Sequence, residues 1–104
     1  MKKYRVILDP DAEFDIESSF KRGCRARGEA NAKLWVRKLR RALRKHLTSM
    51  PLACPLAPES EQLRISIRHL IVDRYRILFT VKGGTVTILH VRGPYIAPIS
   101  EEAD

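Results

Sequence analysis

Among the side chains able to do chemistry, Arg76 is the one whose setting asks for explanation. It emerges from a run of β-branched and aromatic residues, Tyr75 to Val81, that reads as a buried strand. An arginine at a strand centre has its aliphatic stem packed and its guanidinium aimed at one place, which suits a two-pronged grip on a phosphate or a carboxylate. Two kinds of acceptor stay open: an external anion, or a carboxylate of the chain itself, such as one on the acidic tail at Glu101, Glu102 and Asp104. His69 shares the face of Arg76 if Asp73-Arg74 forms a two-residue turn. The same alternation sends His90 to the opposite face, where it reads as a satisfied core histidine.

Three apolar runs must position these groups: Ile65 to Val72, Tyr75 to Val81 and Thr85 to Val91, separated by Asp73-Arg74 and Gly83-Gly84. This spacing predicts a three-stranded antiparallel meander. With Gly83-Gly84 as a two-residue loop, Lys82 faces Thr85, Thr80 pairs with Thr87, Leu78 with Leu89 and Arg76 with Val91. Tyr75, Ile77, Phe79 and Val81 then share the apolar face with Val86, Ile88, His90 and Arg92. The opposite face, carrying Arg76, is expected to be largely uncovered.

Upstream, Tyr4 to Leu8 reads as a short strand with Tyr4, Val6 and Leu8 on one side. Asp9 as N-cap and Pro10 as first residue open a helix expected to stop at Gly23, with Ala12, Ile16 and Phe20 as its buried stripe. A second helix runs from about Glu29 to Leu47, with Trp35, Leu39, Leu43, His46 and Leu47 on its apolar side. Its other side is basic: Lys33, Arg37, Lys38, Arg40, Arg41, Arg44 and Lys45. Like charges at i,i+4 such as Arg37 with Arg41 each cost roughly 0.2–0.5 kcal/mol, which an external anion would offset; the alternative is a merely solvated face. Met50 to Glu59, rich in proline, predicts an irregular connection. The order strand, helix, helix and three strands makes an α+β domain, a helical hairpin on one face of a small, mainly antiparallel sheet, spanning 1–104 as one domain.

The formal net charge of +8 over 104 residues points to a polyanionic or acidic partner: nucleic acid first, then an acidic protein segment, then an anionic membrane. Cys24 and Cys54 form no CxxC pair, so neither a metal site nor a disulfide framework is expected, and no cofactor is implied. The start lacks a signal-peptide pattern and no apolar run has transmembrane length, which points to a cytoplasmic setting.

The opening VILDPDAEFDIE, the Trp35 helix and above all LIVDRYRILFTVKGGTVTILHVR resemble the RelE/ParE superfamily, toxins of bacterial type II toxin–antitoxin systems. The resemblance runs from Tyr4 to about Arg92 and implies a β-α-α-β-β-β fold and neutralisation by an antitoxin. It implies one of two activities: inhibition of DNA gyrase, or ribosome-dependent cleavage of mRNA. RNA cleavage needs a base for the 2′-hydroxyl, an acid for the leaving 5′-oxygen and cations on the phosphate. On that branch Arg76 matches the phosphate-contacting strand arginine, and Tyr95 and His69 would complete the set, although Tyr95 after Gly93-Pro94 also reads as a packing anchor. The tail after Val91 turns apolar and acidic, unlike that of a cleaving member, which favours the gyrase branch. Arg37, Arg41, Arg44, Arg68, Arg76 and Arg92 are the expected contacts to the target or to an acidic, amphipathic segment of the antitoxin. The charge alone also fits a non-enzymatic nucleic-acid-binding module.

Overall fold

A computed structural model describes residues 3–93. Its elements are β1 (Arg5–Leu8), α1 (Pro10–Arg27), α2 (Glu29–Leu47), a 3₁₀ turn (Pro51–Ala53), α3 (Glu59–Leu63), β2 (Arg68–Val72), β3 (Tyr75–Lys82) and β4 (Thr85–Arg92). The sheet order is β1-β4-β3-β2. Only β1 and β4 run parallel; the meander β2-β3-β4 is antiparallel, as its two short turns require. This is the expected α+β architecture. Ala12 and Ile16 of α1 and Leu39, Leu43 and Leu47 of α2 close over Ile77, Phe79, Val86 and Ile88, burying the apolar face of the sheet.

The helices depart from expectation at three points. Asp9 occupies the N-cap position with extended backbone and Pro10 opens α1, but the Asp9 side chain makes no capping bond; its carbonyl takes the amides of Ala12 and Glu13. α1 does not stop at Gly23 but continues to Arg27. A glycine inside a helix costs only about 1 kcal/mol against alanine, and here it packs on α2: a Cβ on Gly23 would stand 3.4 Å from that of Ala32. The chain reverses instead at Gly28, with φ of 89°. His46, expected on the apolar side of α2, is exposed at the helix end.

The connection after α2 is more ordered than its prolines suggest. Besides the 3₁₀ turn and α3, Leu56 bridges Arg68, and the Ser60 hydroxyl both donates to the Ile67 carbonyl and accepts from its amide, at 2.7 and 2.8 Å. β2 therefore starts at Arg68, because Ile65 to Ile67 belong to this connection. The sheet face expected to lie open is partly covered by it: Ala57 and Ile67 are buried on Leu78, with Leu89 packed alongside.

The β3-β4 hairpin follows the expected register from Lys82↔Thr85 to Thr80↔Thr87 and Phe79↔Ile88, then slips. Leu89 is an extra residue, so Leu78 pairs with His90, Ile77 with Val91, and Arg76 with Arg92 rather than with Val91. Val91 thereby joins the core beside Ile77. The bulge lies just beyond the last β1-β4 pair, Leu8↔Ile88, where β4 loses a neighbouring strand. Asp15 of α1 takes over there: its Oδ2 accepts the Val91 amide at 2.9 Å and lies 3.2 Å from His90 Nδ1.

Candidate functional site

The Asp73-Arg74 turn does bring His69 and Arg76 together. Both residues have positive φ, 49° and 70°, as a two-residue hairpin of matching twist demands. The resulting pairs, His69↔Leu78 and Ile71↔Arg76, place His69 and Arg76 on one face of adjacent strands. Arg76 Nε donates to His69 Nδ1 at 3.0 Å.

The other acceptor of Arg76 comes from an unexpected place. Its Nη1 and Nη2 donate to Oε2 and Oε1 of Glu59 at 2.7 and 2.8 Å, a two-pronged ion pair whose side chains are 13% and 28% exposed. Arg76 thus grips a carboxylate of its own chain, supplied by the first turn of α3 rather than by the acidic tail. Sequence reasoning missed Glu59 because a proline-rich connection offered no register to place it.

Electrostatics follow from this geometry. The Arg76 hydrogen bonds hold the Glu59 carboxyl down at about 2 against its ordinary 4.5, overcoming the opposing effect of burial; Arg92 adds to the lowering. Burial, followed by the positive charge of Arg76, lowers the value of His69, with Glu59 pulling the other way. His69 is therefore the neutral tautomer that accepts at Nδ1 and carries its proton on Nε2. It can donate from Nε2, but its acceptor nitrogen is occupied.

The remaining site candidates fall into two groups. Arg68 faces inward: its Nη1 donates to the Cys54 carbonyl at 2.6 Å and to that of Leu52 at 3.5 Å, tying the connection to β2. Arg92 is exposed beside Arg76. On α2, Arg37, Arg41 and Arg44 are all exposed, and none forms an ion pair among the described residues. The basic face is nevertheless not uniform, since Arg40 reaches Glu13 of α1 at 3.0 Å and Lys33 reaches Glu29 at 2.8 Å. Tyr95 lies outside the described residues. Among the described residues there is no cluster suited to a metal ion, and no helix is long and apolar enough to cross a membrane. Cys24 and Cys54 are free thiols; burial raises the Cys54 value, partly offset by Arg68.

Among solved structures, the chain is similar to one from the chromosomal ParDE TA system of P. aeruginosa. The TM-score is 0.71 at 19% identity, covering 86% of this chain and 94% of the other. At that identity the likeness is one of fold, the α+β arrangement that the two chains share. No protein-family model matches the sequence, and no curated protein does.

Proposed function

We propose that this chain is the toxin of a type II toxin–antitoxin pair, which arrests bacterial growth by acting on DNA gyrase in the cytoplasm rather than by cutting RNA. The likeness to a ParDE system chain supports the class. The observation that carries the choice of activity is the engagement of Arg76. A phosphate clamp needs a guanidinium free to meet a developing charge, whereas this one is held by both oxygens of Glu59. The nearby groups are also poor bases: His69 has its acceptor nitrogen occupied, and a carboxylate held at about 2 binds protons weakly. A gyrase poison needs no general base, only a docking surface, and the exposed cations of α2 supply one.

The adjacency of His69 and Arg76 is what favours the second reading, an mRNA endonuclease completed by Tyr95; on that reading Glu59 must release Arg76 when RNA binds. The neutralising partner in either case is an antitoxin with an acidic, amphipathic segment that complements Arg37, Arg41 and Arg44. Induction of the chain in bacteria separates the two. Double-strand DNA breaks with SOS induction and intact transcripts are expected. Rapid transcript loss without DNA breaks would select the endonuclease, and normal growth would leave neither.

A further inference from the structure

A second concave region lies away from Arg76, where the end of α1, the first half of α2 and the β2-β3 turn meet. It is a cleft of about 790 Å³, within the range of small-ligand sites. Trp35 and Tyr75 line it, both partly exposed, with ring centroids 4.7 Å apart and planes inclined at 40°. Gly93 leaves room for the tyrosine ring, since a Cβ there would stand 2.7 Å from its Cδ2. Arg22 and Arg27 of α1, Lys38 of α2 and Arg74 of the turn surround the rings, and Asp73 is the sole acid among the described lining residues. Arg22 is tied to the Ser19 hydroxyl at 3.1 Å, whereas Arg27, Lys38 and Arg74 make no ion pair among the described residues.

We propose that this cleft binds single-stranded nucleic acid, one unpaired base lying against Trp35 and Tyr75 while the flanking phosphates meet Arg27, Lys38 and Arg74. An aromatic floor with cations around its rim matches the two surfaces of an unpaired nucleotide, a π-face and phosphates on either side. A duplex has its bases stacked inside and offers the floor nothing. The proposal stands apart from the toxin reading, which is measured by growth arrest rather than by binding.

Trp35 is the only tryptophan, so its emission reports on the cleft directly. The full chain, titrated with a thymidylate 12-mer, is expected to show saturable quenching. The affinity should fall with salt at a log–log slope of about −2, as three contacted phosphates on a single strand require. Lys38→Glu should weaken binding by about 10-fold. Lys82→Glu, the same charge change about 23 Å along β3 from Tyr75, should weaken it by less than about 3-fold. Absence of quenching would overturn the proposal, as would equal losses in the two variants with melting temperatures unchanged. So would equal affinity for a duplex or for thymidine monophosphate, or equally effective displacement by inorganic phosphate or polyglutamate.

Discussion

Arg76 and three arginines of α2, Arg37, Arg41 and Arg44, are the same residue type in opposite situations. Arg76 projects from a strand over a face that α3 and its flanking chain have partly covered, and both prongs of its guanidinium are taken by Glu59. Arg37, Arg41 and Arg44 project from a helix into solvent, and no described carboxylate meets them. A strand packed on both sides fixes where a long side chain ends, so its partner is built into the fold. A helix surface leaves the side chain free, and the partner must come from outside. Positive charge therefore does structural work on the sheet and is available for recognition on α2.

The largest expected effect falls on the first of these regions. Arg76→Ala leaves Glu59 and His69 without their donor in a poorly solvated place and should cost about 2–3 kcal/mol in urea unfolding. Arg76→Lys keeps the charge but loses the fork, so it should recover less than half of that loss. If both variants unfold like the parent, the pairing contributes nothing to the fold and Arg76 is free for other work.

Acid should attack the same region. Glu59 has a folded value of about 2 below its ordinary 4.5, so as the pH falls through that interval the unfolded chain takes up a proton that the folded chain refuses. The stability present above pH 4.5 is lost progressively towards pH 2. His69 acts in the same direction at higher pH, because its folded value lies below 6.5 and the unfolded chain protonates first. Thermal melting should therefore decline from pH 6.5 downwards. Glu59→Gln should flatten the profile below pH 4.5 by about 1–2 kcal/mol, allowing for solvent screening. An unchanged profile in that variant would remove Glu59 as the cause.

For the helix the expectation is reversed: a small effect on the fold and a clear effect on binding. Arg37→Glu, Arg41→Glu and Arg44→Glu together should shift stability by no more than about 1 kcal/mol, since all three point to solvent. The triple variant should associate more slowly with an acidic antitoxin segment, with a weaker dependence on salt. Equal association rates for parent and variant across a salt series would make this face a solvated surface only. Smallest of all, Arg74→Gly should stabilise the β2-β3 turn by about 0.5–1 kcal/mol in thermal unfolding, because glycine accepts φ of 70° without steric cost. A loss of stability would mean that the Arg74 side chain contributes more than its backbone costs.

How far the sequence disclosed this arrangement depended on how local each signal was. The strand alternation in Tyr75 to Val81, the Gly83-Gly84 hairpin and the α2 stripe of Leu39 and Leu43 were readable because each rests on neighbours a few residues away. So was the pairing of His69 with the Arg76 face, since it required only a two-residue turn. The bulge at Leu89 was not readable: the sequence alternates smoothly through it, and the slip occurs where β1 ends and Asp15 of α1 takes the freed amide. The end of α1 was misplaced for a related reason, since Gly23 looks like a terminator until Ala32 is seen packed against it. Glu59 lay furthest from view, 17 residues from the arginine it meets and separated from it by Ser60, whose bonds to Ile67 fold the connection over the sheet.

That Arg76 is engaged within the fold is the claim on which the non-cleaving reading depends, and a double-mutant cycle on Glu59 and Arg76 tests it most directly. Glu59→Gln, Arg76→Met and the combination would be compared by urea unfolding at neutral pH. A coupling energy of about 1.5–2 kcal/mol is expected, with the double variant less destabilised than the sum of the two single variants. Additive losses, with coupling indistinguishable from zero, would contradict it and return Arg76 to the pool of cations available for phosphate.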